Sequence, residues 1–205
     1  CPTVFREGDS WYMTYVVYNG KTGQDGRGYE TWLAKSSDLL HWKTLGRVLA
    51  YRDGKWDCNQ RGGFPALADM EWGGTYQYKG RHWMTYLGGS GTGYESVREP
   101  LYVGVASTDK PITEAHEWQA SDKPILHIDD KDAQWWEKLT QYKSTVYWDK
   151  SKRFGKQFVM FYNAAGVHPQ TGKKAERVGI ALSDNMKKWT RYAGNPVFAH
   201  EIAGG

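Results

Sequence analysis

Apolar and polar residues alternate along this chain in short runs, and the runs are arranged as hairpins. Tyr12-Met13-Thr14-Tyr15, Trp83-Met84-Thr85-Tyr86 and Val159-Met160-Phe161-Tyr162 share one pattern, an apolar residue, Met, any residue and Tyr. Each reads as the return strand of a hairpin, with successive side chains on opposite faces. A small-residue strand follows each: Leu33 to Asp38, Gly104 to Asp109 and Gly179 to Asp184. A tryptophan-bearing strand comes next, at Trp42, Trp118 and Trp189, and then an apolar pair, Val48-Leu49, Ile125-Leu126 or Val197-Phe198. The tyrosines stand 71 and 76 residues apart and the tryptophans 76 and 71. A repeating unit of about 70 residues with about four strands predicts the blades of a β-propeller with long loops.

The pattern therefore predicts an all-β fold with three four-stranded blades, at about 1–50, 71–126 and 141–198, within a single propeller domain over 1–205. Ala50 to Met70 reads as a long ordered loop over the mouth of the second blade, and His127 to Thr140 as a short helix capped by acids. Asn19 to Gly28 and Gly88 to Gly93 read as glycine-rich loops. A β-sandwich of short aromatic strands is the competing architecture, but it does not explain three copies of a two-part signal. Propellers close with four or more blades, so the expectation is an incomplete ring whose remaining blades come from a longer chain or an oligomeric partner. The two ends fit that expectation, since Cys1 already belongs to a strand-like run and Glu201 to Gly205 brings no closing element.

Composition supports strands. Among 205 residues there are 11 Trp and 14 Tyr, whereas Leu and Ile are sparse. The net charge of +4 is carried by basic residues interspersed with acids, which argues against a nucleic-acid partner. No apolar run reaches the roughly 18 residues of a membrane span. Cys1 and Cys58 form no disulfide framework, although a single bridge between them is compatible with the sequence.

The stretch with the most chemistry is Asp69 to Tyr86. Two acids, Asp69 and Glu71, and Trp72 precede Gly73-Gly74, where a backbone can bend or approach a ligand closely. The glycines are expected to open a hairpin that returns through Trp83 to Tyr86.

An acid, a hydrophobic strand and Gly-x-aromatic-aromatic-Met-x-Tyr, with Ser-x-Asp-Leu-x-x-Trp further on, resembles the five-bladed β-propeller glycosidases around glycoside hydrolase family 43, with relatives in families 32, 62, 117 and 130. The residues that carry the likeness are Pro2 to Tyr15, Ser36 to Trp42, Glu71 to Tyr86 and Ser183 to Trp189, so it extends along nearly the whole chain. The resemblance implies a carbohydrate substrate and a site at the propeller axis, at the starts of the innermost strands, where carboxylates from successive blades converge. It also implies a secreted or periplasmic setting. Glycosidic cleavage needs one carboxylic acid to protonate the leaving oxygen and one carboxylate as base or nucleophile.

The likeness is incomplete at individual positions. Family 43 members open the first blade with Asp-Pro, that Asp being the general base, and here Cys1 precedes Pro2. Counting fifteen residues back from Tyr86 gives Glu71 as the acid of the second blade, with Asp69 beside it. In the third blade the same count falls on Tyr142 or Lys143, and Glu137 is the nearest carboxylate. The candidate catalytic residues are thus Glu71, Asp69 and Glu137. Trp72 and Trp136 are candidates to stack on sugar rings, and Arg61, Tyr142 and Lys143 to hold hydroxyls or a uronate. No cofactor or catalytic metal is expected, and a structural cation at the axis is compatible with the family. The leading function is glycoside hydrolysis of a poly- or oligosaccharide. A propeller that binds carbohydrate without cleaving it, and a glycoside phosphorylase, are the alternatives. A protein-binding kelch or WD propeller fits less well, because its blades are shorter.

Overall fold

The computed structural model describes residues 2–19, 26–94 and 99–199. Cys1, the middle of the first glycine-rich loop and the last residues from 200 onward lie outside the described residues, so the expectations placed on them are not taken further. Cys58 carries a free thiol.

Twelve strands make three antiparallel sheets, each with its strands in chain order. The first holds β1 (Thr3–Glu7), β2 (Ser10–Tyr18), β3 (Tyr29–Ser36) and β4 (Lys43–Leu49). The second holds β5 (Gln60–Pro65), β6 (His82–Gly89), β7 (Tyr102–Thr108) and β8 (Gln119–Ala120). The third holds β9 (Thr140–Trp148), β10 (Phe158–Val167), β11 (Lys174–Ser183) and β12 (Thr190–Arg191). This is the blade pattern of a propeller, and among the described residues there is no α-helix, nor any helix long and apolar enough to cross a membrane.

The repeat seen in the sequence is a repeat of register. Met13, Met84 and Met160 pair across the sheet with Ala34, Ala106 and Ala181. Trp42, Trp118 and Trp189 each immediately precede the fourth strand of their sheet. In the first and third sheets the turn before that Trp is built alike. Ser36 Oγ accepts the Leu39 amide and Ser183 Oγ the Met186 amide, Asp38 and Asn185 each accept two further amides, and the indoles of Trp42 and Trp189 donate back to Leu39 and Met186. The equivalent of Asp38 is therefore Asn185, not the neighbouring Asp184 that the motif suggested.

Two expectations are corrected. The second blade does not begin at residue 71, because Gln60 to Pro65 is its innermost strand rather than part of a loop. Gly62 and Gly63 belong there for reasons of packing. A Cβ on Gly63 would meet Met84 Sδ at 2.4 Å and Leu49 at 2.9 Å, and Thr31 of the first sheet ties the strand by accepting from the Gly63 amide and donating to the Arg61 carbonyl, both at 2.7 Å. The hairpin of β5 and β6 is consequently joined by a long connection, residues 66–81, and Gly73-Gly74 lies inside it instead of opening a strand. The acid-capped helix expected over 127–140 is reduced to one 3-10 turn, Trp135–Glu137.

Two apolar seams hold the sheets together. Phe5, Tyr12, Leu33, Val48 and Leu49 of the first sheet pack on Met84, Tyr86, Ala106 and Trp118 of the second. Trp83, Val103, Val105 and Leu126 of the second pack on Trp136, Val146, Phe158, Met160 and Tyr162 of the third. Burying side chains of this size contributes about 1.5–3 kcal/mol each. The matching faces at the two outer sides, with Met13 and Tyr15 on one and Tyr147 and Phe161 on the other, are only partly covered.

Candidate functional site

An acid stands just before the innermost strand of both the second and the third sheet, and the two acids are held in the same way. Trp56-Asp57 precedes β5 and Trp136-Glu137 precedes β9. The return-strand tyrosines that mark the repeat donate to these acids, Tyr86 to Asp57 Oδ2 at 2.8 Å and Tyr162 to Glu137 Oε2 at 3.1 Å. Each tyrosine ring is stacked by the tryptophan next to its acid, with centroids 5.7 Å apart in both cases. Directly across the sheet from Tyr86 and Tyr162 stand Gly104 and Gly179, where a Cβ would fall 2.3 Å from the Tyr86 ring and 2.4 Å from the Trp136 ring. Glycine is required at these positions by the space the tyrosine occupies. In the first sheet the equivalent Tyr15 faces Trp32 and hydrogen-bonds Thr44.

Both carboxylates are fully buried and neutralised by arginine. Asp57 meets Arg52 Nε at 2.6 Å and Arg61 Nε at 3.2 Å. Glu137 Oε2 accepts from Arg191 Nε at 2.7 Å and Gln141 Nε2 at 3.2 Å, while Oε1 accepts the Gln134 amide at 3.0 Å, which closes the 3-10 turn on itself. Arg191 comes from the outermost strand β12, and its other nitrogens reach Asp130, Asp132 and the His127 carbonyl. A buried charge without such partners would cost several kcal/mol. Burial, and then the charge of the adjacent acid, push the Tyr86 and Tyr162 hydroxyls well above the ordinary phenol range, so both remain protonated donors. Burial alone would lower the Arg191 guanidinium, but Glu137 and Asp130 outweigh it and raise it.

The candidates read from sequence do not all meet. Glu137 lies where the resemblance puts an acid, before the start of an innermost strand. Asp69 and Glu71 lie after the end of β5, at the other end of the blade from Asp57 and Glu137. Asp69 is a turn residue whose carboxylate accepts the amides of Glu71 and Trp72 and whose backbone pairs with Gly73 and Gly74. Desolvation opposes the shift, but these amides hold the Asp69 carboxyl below the usual range. Glu71 is exposed, and Trp72 is 69% exposed with no ring partner among the described contacts. Trp136 and Arg61 are interior residues. Trp136 fills the seam against Tyr162 and Gly179, and Arg61 binds Asp57, Glu117 and the Ala50 carbonyl, so neither presents a surface to a sugar. Tyr142 and Lys143 do sit on β9, the first packed against a cluster with Phe64, Leu87 and Leu101, the second exposed. Sequence reading missed Asp57. The signal was the Trp-acid dipeptide standing 29 and 25 residues before the Tyr of its sheet. Among the described residues no group of three His, Cys, Asp or Glu side chains is placed to hold a metal ion.

Repeated four-stranded sheets with acids at the starts of their innermost strands define a propeller of the glycosidase type. Solved structures bear this out. One described as a complex of BT0996 and RGII is 74% identical and one named "Glycoside hydrolase" is 73% identical, each aligning along 98% of this chain with a TM-score of 0.94. The chain spans 58% of the length of each. Zg3597, a family 117 glycoside hydrolase from the marine bacterium Zobellia galactanivorans, is 18% identical along 97% of this chain and 56% of its own, with a TM-score of 0.70, and shows the fold alone. No family model matches the chain, and no curated protein does. The structural neighbours are thus glycoside hydrolases of the five-bladed propeller clan, the clan that the sequence resembles.

Proposed function

We propose that the protein is a glycoside hydrolase acting on a poly- or oligosaccharide through carboxylate chemistry, and that Glu137 is the carboxylate this chain contributes. What carries the reading is the alignment of the whole chain with a glycoside hydrolase at 73% identity, together with the place of Glu137 before the innermost strand of the third sheet. An arginine-paired carboxylate is in the form that serves as base or nucleophile in glycosidic cleavage. Its Oε2 is fully occupied by Arg191, Tyr162 and Gln141, whereas Oε1 receives only the Gln134 amide and retains lone-pair capacity towards a sugar carbon or a water. The second acid is supplied by sequence beyond Glu137 or by Asp57 in the equivalent position of the second sheet. RGII, named with the 74% identical relative, is the first substrate to offer.

The test compares Glu137→Gln with Asp57→Asn in the full-length protein, because the two acids share one structural setting. Release of reducing sugar from RGII should fall by orders of magnitude in Glu137→Gln, beyond what its loss of thermal stability explains. Asp57→Asn should lose stability to a similar extent and serves as the measure of the structural part. Undiminished turnover in a folded Glu137→Gln variant would remove Glu137 from the chemistry.

A further inference from the structure

A cleft of about 510 Å³ opens on the outer rim between the second and third sheets, remote from the starts of the innermost strands. Both of its walls belong to sheets this chain contains in full. Trp83, Pro124 and Ile125 give it an apolar floor, and the Trp83 indole N–H is engaged by the Tyr78 carbonyl at 3.0 Å, so that side chain offers carbon surface alone. Its charge is one-sided. Asp122 is its one acid and is paired with Lys55 at 3.3 Å. Lys123 from the second sheet and Lys187 from the turn before β12 line the same cleft and are exposed, and their ammonium groups make no hydrogen bond or ion pair with any described residue.

An apolar floor beneath two unpaired ammonium groups selects a small anion that also has an apolar face. A pyranose ring carrying a carboxylate has both: its C–H face covers the Trp83 and Ile125 surface, and its carboxylate accepts charge-assisted hydrogen bonds from the lysines. The volume lies in the range of small-molecule sites and holds one to two sugar units. We propose that this cleft is a second, peripheral site that binds an acidic sugar unit, a uronate, outside the axial site. The choice of a sugar among organic anions rests on the glycosidase reading, whereas the binding of a carboxylate does not.

Isothermal titration of the full-length protein with glucuronate, glucose and cyclohexanecarboxylate tests this, with the Lys123→Ala/Lys187→Ala double variant beside it. Both lysines are exposed, so the variant keeps its fold. Glucuronate should bind with a Kd of about 1 mM, and the double variant should weaken it about tenfold, the loss expected of a charge-assisted contact. Glucose should bind more weakly than glucuronate, and turnover of polymer at the axial site should be unchanged in the double variant. Glucuronate binding that the double variant leaves intact, or its absence from the wild-type protein, would overturn the site. Cyclohexanecarboxylate binding as tightly as glucuronate would overturn the sugar assignment and leave an anion site. The binding is read without turnover, so a failed glycosidase assay does not touch it.

Discussion

The Tyr86 hydroxyl donates to Asp57 across 2.8 Å, and the same bond recurs in the next sheet between Tyr162 and Glu137. A tyrosine recognisable in the sequence as the end of a strand pattern is thus the residue that satisfies a buried acid, and removing its hydroxyl has a defined consequence. Tyr86→Phe and Tyr162→Phe should each lower stability by about 1.5–3 kcal/mol, the worth of a buried hydrogen bond to a charged group. Urea denaturation of the two variants measures it, and a loss below about 0.5 kcal/mol would mean that other donors take over the carboxylate.

Gly104→Ala and Gly179→Ala test the space behind those tyrosines. The added Cβ would stand 2.3 Å from the Tyr86 ring and 2.4 Å from the Trp136 ring, and both rings are locked by stacking. Each change should cost about 1–3 kcal/mol by overpacking. Gly155→Ala is the control: nothing lies within 4 Å of its Cβ position, and its φ of 75° leaves only the left-handed backbone penalty of about 1 kcal/mol.

Glu71→Gln should leave kcat unchanged. Glu71 is exposed in the connection after β5, at the end of the blade opposite Glu137. A large fall in turnover, measured on the substrate that Glu137→Gln no longer cleaves, would return the axial role to Glu71.

Acidification should destabilise the fold through His82 and His116. Burial lowers the pKa of both imidazoles, so the unfolded state takes up protons that the folded state resists. Stability from these groups is fully present above the unfolded value of about 6.5 and is lost as the pH falls from there towards the lowered folded values. His116 bonds Thr108 through Nε2 at 2.7 Å, and its buried Nδ1 has no partner. His116→Gln should therefore flatten the dependence of unfolding free energy on pH below about 6.5. An unchanged slope would exclude His116 as a contributor.

The repeat was legible because register is a local matter. Met13, Met84 and Met160 face alanine in all three sheets, and a strand's period of two carries that relation along the sequence. The turns before Trp42 and Trp189 were legible for the same reason, since their hydrogen bonds join residues two or three positions apart. Gln60 to Pro65 was not legible, because Gly62-Gly63 and a closing proline are the marks of a loop. Their real cause is the close approach of Met84 and Leu49 from two other strands.

The amino-acid sequence by itself determined the strands, their repeat, the all-β propeller class and the positions of tyrosine and tryptophan within each unit. Which acids are enclosed, and by what, was decided by tertiary structure alone. Counting back from Tyr86 to Glu71 assumed a short hairpin, whereas β5 and β6 are joined by the long connection 66–81, which carries Glu71 past the end of the blade. The partners that bury Glu137 come from distant positions, Tyr162 at a separation of 25 residues and Arg191 at 54. A carboxylate's environment is the sum of charges and donors within a few ångströms, and those are gathered by the packing of sheets rather than by neighbours in sequence.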